Sequence, residues 1–393
     1  MPIAFFDSSV SHTHLLPLTY LKPCCDLRVG ILTIREKWEK CLSTTTTGFK
    51  TREYLSPMFR PPDLEQEVIW INGVVLPENE LVRQVMSLES GQSISYNGTL
   101  IATKSSRAEI QPHNLGLEHA PEQLSWCWDI FLKNGSEIRK DYQLITSGRA
   151  SCEIDDPFTQ VYSNENIFIE EGASIKASLL NAENGPIYIG KNAEVHEGAI
   201  IRGPFALCEN SVISMGGRMR GDITVGPFSK IGGEIGNSVI QGYTSKGHDG
   251  YLGNAVLGEW CNLGADTNNS NLKNNYKNVK MWNHETSAMM DTGLQFCGLI
   301  MGDHSKCSIN TMFNTGTTVG LSASIFGGSF PPNFVPSFSW GGSEGLSTYE
   351  IDKMIDTLSF VMARRHQTPS ELYIEALNHI FKATQPDRFW EKK

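Results

Sequence analysis

His248 is the side chain best placed to do chemistry in this sequence. It stands just before three aliphatic–glycine pairs, Leu252-Gly253, Leu257-Gly258 and Leu263-Gly264, spaced by five and six residues. An imidazole with a reference pKa near ~6.5 can accept a proton at neutral pH and contributes roughly 10²–10⁴-fold as a general base. Backbone N–H groups of a glycine-rich coil can stabilise an oxyanion. A base beside such donors suits acyl transfer. His196 and His304 also lie in repeats, but a three-histidine zinc site of this kind needs a pair five residues apart, which is lacking, so no metal is expected there.

The spacing also says what must hold His248. Aliphatic anchors recur six apart at Ile189, Val195, Ile201, Leu207 and Ile213, with the same rhythm at Ile169 and Ile175, Val225 and Ile231, Leu257 and Leu263, and from Met301 through Cys307, Phe313 and Val319 to Ile325. Glycine directly follows many of them. This is the pattern of a hexapeptide parallel β-helix, in which each short strand forms one side of a triangular coil and each anchor points inward. The pattern predicts such a domain over 158–330. The polar stretch 268–296 interrupts it and is expected to project as a loop or arm.

Residues 1–110 read as mixed α/β, with strands at Ile3–Phe6 and Val68–Ile71, helices over Val29–Leu42 and Glu80–Leu88, and a hairpin turn at Tyr96-Asn97-Gly98-Thr99. Residues 111–157 read as a helical connector. Its helix starts at Pro121 and is broken by Asn134-Gly135; a second short helix then leads into a strand at Gln143–Ile145. In the C-terminal segment 346–393, Ser347-x-x-Glu350 reads as a capping box for a helix ending in Arg364-Arg365. Thr368-Pro369-Ser370-Glu371 caps a second helix. Both helices should cover the end of the β-helix, and the arginine pair could hold a phosphate.

The totals bound the function. In 393 residues with a net charge of −10, nucleic acid and anionic membranes are poor general partners, so anionic substrates would need a local basic cluster. The nine cysteines are odd in number and lack a CxxC pair, which points to reduced thiols. The N-terminus has no basic signal region, and no run approaches a membrane span, so the cytoplasm is the expected location.

Two resemblances sharpen the reading. Leu16-Pro17-Leu18-Thr19, Lys22-Pro23 and Arg28 resemble the later half of the nucleotide-binding loop of sugar-phosphate nucleotidyltransferases. The glycine-rich half is absent, replaced by His12-Thr13-His14. Where that family carries an aspartate for Mg²⁺ after an Asn-Gly turn, Val74 follows Asn72-Gly73. The stretch Ser245–Asn271 resembles the acetyltransferase domain of the bifunctional enzymes that acetylate glucosamine-1-phosphate and then form UDP-N-acetylglucosamine. Nearly the whole chain is similar to the alternative, Bacteroidetes-type branch of that family, on Pro17–Trp38 and Gly293–Thr317.

The resemblance implies an α/β nucleotide-diphospho-sugar-transferase-like domain, a left-handed parallel β-helix and C-terminal helices, assembled as a homotrimer. It implies acetyl-CoA as co-substrate and Mg²⁺ at the N-terminal domain. His248 would be the base. Lys246, Tyr251, Asn262, Asn271 and Arg202, with Arg218 and Arg220, would serve the amino-sugar phosphate. Thr19, Lys22, Arg28 and Asn72 would serve the nucleotide, and Asn314 and Thr315 the acetyl-CoA. Asn271-Leu272 and Gly236 depart from the family pattern and leave the amino sugar open. Two other readings stand beside this one. In the first, the chain is a nucleotidyltransferase (uridylyl or thymidylyl) whose β-helix is only a trimerising scaffold; in the second, it is a non-catalytic assembly protein.

Overall fold

The computed structural model describes residues 2–63 and 67–391. The chain forms two compact units. The first holds most of the chain up to Trp126; the second runs from Cys127 and also takes Leu16–Tyr20 and Arg28–Ile31.

The first unit is a six-stranded mixed sheet. Its elements are β1 (Ile3–Phe6), α1 (Ser9–His14), α2 (Ile34–Leu42), β2 (Thr46–Lys50), β3 (Val68–Asn72), α3 (Asn79–Met86), β4 (Gln92–Tyr96), β5 (Thr99–Ser105) and β6 (His113–Gly116). The strand order is β2-β1-β3-β5-β4-β6, with β1 parallel to both its neighbours and β5 antiparallel to β3 and β4. β1 and β3 are buried along their whole length, which is why they read as unbroken apolar runs rather than alternating ones. α2 starts at Ile34, later than the pattern predicts, behind a capping box. There the Thr33 hydroxyl accepts from Glu36 N–H at 3.2 Å, and the Glu36 carboxylate accepts from Thr33 N–H at 2.7 Å.

In the second unit, Arg28–Ile31 is held by side-chain hydrogen bonds and bends at Gly30, whose φ is 82°. Arg28 N–H donates to Gln241 Oε1 (2.7 Å) and its carbonyl accepts from Gln241 Nε2 (3.0 Å), while Gly30 N–H donates to Asn134 Oδ1 at 2.8 Å. Asn134 belongs to α4 (Asp129–Thr146), one continuous helix that corrects the break expected at Asn134-Gly135 and the strand expected at Gln143–Ile145. The pair does not break the helix because both residues have tertiary work. The Asn134 amide is fully buried and also donates to Asp222 O at 2.9 Å. At Gly135 a Cβ would sit 2.0 Å from the Asp222 carboxylate.

The rest of the second unit is a parallel β-solenoid whose short strands stack into sheets of nine, ten and six strands. One inward column runs in register through Ile169, Ile189, Leu207, Val225, Ile240, Leu257, Met301, Val319 and Val335. All are buried. At one corner of successive coils, Phe228, Tyr243, Trp260 and His304 take left-handed φ values of 52–61° and stack on one another, with ring centroids 5.0, 4.3 and 6.2 Å apart. Left-handed backbone costs a non-glycine residue about 1 kcal/mol or more, and each stacked pair returns about 0.5–1.5 kcal/mol.

The polar insertion contains a hairpin, Lys280–Asn283 with Ala288–Asp291. It does not project freely: Val279 and Met281 are buried, and Trp282 stacks on Phe334 at 4.1 Å. The solenoid ends where Gly345–Thr348 turns back antiparallel on Ser339–Gly342. Ser347 lies in that strand, so the expected capping box does not form. α5 (Ile351–Ala363) begins after Glu350, and α6 (Glu371–Ala383) is capped by Ser370 accepting from Tyr373 N–H. Among the described residues no helix is long and apolar enough to cross a membrane.

Candidate functional site

A second inward column of the solenoid leads to the site. It runs Ile175, Val195, Ile213, Ile231, then Lys246, then Leu263, Cys307 and Ile325. Lys246 thus occupies a position that every neighbouring coil gives to an apolar residue, and it is 1% exposed. Its ammonium turns to the corner that follows and donates to the carbonyls of His248 (2.8 Å), Asp249 (3.0 Å) and Gly232 (3.4 Å). Burial pulls its pKa down from 10.5 to about 8. This corrects the expectation that Lys246 neutralises a substrate phosphate: its charge is engaged inside the coil, fixing the backbone that carries His248.

His248 itself is exposed, on the ridge between two faces. On one side lies the strand Ser245–Lys246, whose Ser245 is in register with Asn262 on the next coil; the Asn262 side chain is exposed on that face. On the other side lies Tyr251–Gly253. The phenol oxygen of Tyr251 accepts from Asn271 Nδ2 at 3.0 Å, and the same amide donates to Asn254 Oδ1 at 2.8 Å. Tyr251 can fold back because Gly253 has no side chain: a Cβ there would lie 2.3 Å from the phenol oxygen. Two asparagines absent from the sequence reading hold this strand. Asn268 Oδ1 accepts from Tyr251 N–H at 2.7 Å, and Asn269 exchanges bonds of 2.8 and 2.9 Å with the Gly253 backbone. They stand in for the strand-to-strand ladder where the chain leaves for the insertion. Their signal was an Asn-Asn pair at the point where the six-residue rhythm stops.

The remaining residues expected at the sugar phosphate do not all converge. Arg202 is exposed, on the Tyr251 face, but lies three ladder steps below Gly253, roughly 14 Å away. Arg218 and Arg220 are nearer and share Glu234, at 4.0 and 3.0 Å. Asn314 and Thr315 form a corner. Thr315 is buried, its carbonyl accepting from Asn333 Nδ2, and the Asn314 carbonyl accepts from the Thr317 hydroxyl. Their observed bonds are those of a turn.

In the first unit, Lys22 and Asn72 are buried, and in the second so are Thr19 and Arg28. None offers an open face to a nucleotide. The Asn72 amide closes the turn after β3, accepting from Val74 N–H and donating to Leu100 O. The Arg28 guanidinium donates to the carbonyl of Ile31.

Asp7, at the C-terminal end of β1, was missed by sequence reasoning. Its carboxylate accepts from Cys24 N–H (3.1 Å) and the Thr51 hydroxyl (2.7 Å). Burial raises its pKa from 3.8 to about 6. Gly73 leaves room for it, since a Cβ there would lie 2.8 Å from Asp7 Oδ1. The signal was positional: ligands of parallel sheets bind beyond the C-terminal ends of strands where the strand order reverses, here between β1 and β3. The donors here do not make a Mg²⁺ site. They amount to one buried carboxylate with both oxygens already bonded; the neighbouring Asp26 is paired with Arg35 at 2.6 Å, and Val74 supplies no further acid. Among the described residues no group of three or more His, Cys, Asp or Glu could hold a metal ion.

Residues 3–150 match the family model for sugar nucleotidyl transferase. The chain is also similar to the bifunctional protein GlmU of Methanocaldococcus jannaschii, with 31% identity over 131 residues. That similarity takes in 33% of this chain, which spans 26% of the length of that relative.

Proposed function

We propose that the solenoid transfers an acetyl group from acetyl-CoA to the amine of an amino-sugar 1-phosphate, glucosamine-1-phosphate being the acceptor implied, and that the N-terminal domain transfers a uridylyl group from UTP to the resulting sugar phosphate. The observation that carries the first step is His248, exposed on a ridge whose corner is fixed by a buried ammonium and flanked by Tyr251–Asn271 on one face and Asn262 on the other.

In this reading His248 takes the proton from the substrate ammonium. The freed amine attacks the thioester carbonyl, backbone N–H groups stabilise the oxyanion, and CoA leaves as the thiol. Tyr251 and Asn271 position the sugar, with Arg218 and Arg220 near enough to meet its phosphate, and Asn262 orients the base or the acceptor. A homotrimer, cytoplasmic by the same reasoning, would set a second copy against the ridge and exclude water. The nucleotidyl step rests on the family match of residues 3–150; any Mg²⁺ would come with the phosphates of the nucleotide.

The test is a substrate panel: glucosamine-1-phosphate and its epimers with acetyl-CoA, and each nucleoside triphosphate with the acetylated product. Wild type should release CoA and pyrophosphate. His248→Ala should lose acetyl transfer by roughly 10²–10⁴-fold while keeping pyrophosphate release. Equal acetyl transfer by both proteins would remove His248 as the base, and no acetyl transfer by wild type would leave the solenoid as a scaffold.

A further inference from the structure

Beside the aromatic corner, the solenoid face that carries Ser245 and Asn262 and the end of α5 enclose a cavity of about 500 Å³. Four cations line it: Lys230 and Lys306 from the solenoid, Arg364 and Arg365 from the end of α5. None makes an ion pair among the described residues. Arg365 donates to Phe228 O at 3.3 Å, and Lys306 to His304 O at 3.0 Å. Tyr243 and Trp260 also line the cavity but already stack within the corner ladder, so they offer their edges. The wall is built rather than incidental: Gln367 donates to the Tyr243 phenol oxygen (3.2 Å), and His304 Nε2 lies 2.6 Å from the Tyr373 hydroxyl, tying the helical segment to the ladder.

Four cations gathered in one groove of a protein of net charge −10 repel one another unless an anion joins them. Two adjacent guanidinium groups and two ammonium groups suit a run of phosphates better than a single carboxylate, because each guanidinium can bridge two phosphate oxygens. The volume suits a small molecule. We propose that this groove binds the polyphosphate of a small molecule, either the diphosphate of CoA or the triphosphate of a nucleotide. Burial holds the Lys306 pKa below that of an ordinary lysine, a cost that a bound phosphate would offset. Ser245 lies on the wall three residues before His248, so their Cα atoms are within roughly 11 Å of each other. A CoA anchored here would therefore hold its flexible arm within reach of the base. As the anchor of the acyl donor the groove depends on the function proposed above; as a polyphosphate site it does not.

Binding of CoA, adenosine 3′,5′-bisphosphate, UTP and inorganic triphosphate, measured by calorimetry without turnover, tests this. The proteins compared are wild type, Arg364→Gln/Arg365→Gln and, since Arg365 also touches the solenoid backbone, Lys230→Gln alone. A loss of tenfold or more in the double variant and about threefold in Lys230→Gln, for CoA and the bisphosphate only, supports the site with the acyl donor as its ligand. The same losses for UTP and triphosphate support it with a nucleotide. Affinities unchanged in both variants, or no binding of any probe to wild type, overturn it. A chain that binds CoA here yet acetylates no amino sugar would defeat the function proposed above and leave this site standing.

Discussion

The two inward columns of the solenoid are built to the same repeat and differ at one place. The column through Ile189 and Leu257 is aliphatic or Met from Ile169 to Val335, and nothing in it reaches the surface. The column through Ile231 and Leu263 is equally buried but admits Lys246, whose ammonium holds the carbonyls of the corner that follows. The first column makes coils; the second makes coils and one fixed corner. A repeat protein shows its candidate site where the repeat accepts an energetic cost that its neighbours avoid.

That comparison can be broken by moving the charge. Ile189→Lys would put an ammonium where no corner carbonyls await it, and should destabilise the protein by about 3–5 kcal/mol or abolish soluble expression, read by denaturant unfolding. An Ile189→Lys variant as stable as wild type would mean that the column tolerates lysine anywhere and that Lys246 has no special seat.

The converse change, Lys246→Met, restores the apolar rule. It should leave the unfolding midpoint close to that of wild type, since a buried charge and its bonds are lost together. It should lower kcat for acetyl transfer by roughly 10–100-fold, because a corner displaced by about 1 Å costs that much, with KM changed less. Unaltered kcat would show the corner to be rigid without the ammonium.

A third measurement sharpens the contrast through pH. The folded pKa of Lys246, about 8, lies below the unfolded value of 10.5. Between the two, the unfolded chain keeps a proton that the folded chain releases, so this lysine adds stability as pH rises from about 8 towards 10.5; below 8 both states are protonated and the cost of burying the charge is present in full. The gain should be on the order of 1–2 kcal/mol in wild type and absent in Lys246→Met. The smallest expected effect belongs to Gly253→Ala. The added methyl displaces the end of the Tyr251 ring and loosens its bond to Asn271, raising KM for the acceptor about three- to tenfold with stability little changed.

The coils were legible because their anchors recur at a fixed interval, and β1 and β3 because strands buried on both faces leave apolar runs. His248 stands out in the sequence for its type and place. Lys246 stands out for its charge, but whether a lysine points in or out depends on its register with Ile231 on the coil before, which the slip in the rhythm between them obscures. Asn134-Gly135 fails as a helix breaker because Asn134 is held by Thr224 and Asp222, about ninety positions away, and Gly135 makes room for the Asp222 side chain, none of which a local pattern contains. Thr19, Lys22 and Arg28 carried a family's spelling, but the fold buries them. The cations of the groove come from three separate stretches, and only Arg364-Arg365 stood out as a pair.

The reversed strand Gly345–Thr348 has a consequence for how this protein behaves in a crowd. A stack of parallel strands ends in a bare edge that would welcome the first strand of another molecule, and so on without limit. By doubling back, the chain presents its own backbone with the opposite polarity at that edge of the ten-stranded sheet. A newcomer can then add there only as an antiparallel partner, outside the parallel stacking of the coils, so head-to-tail filaments are discouraged at their first link.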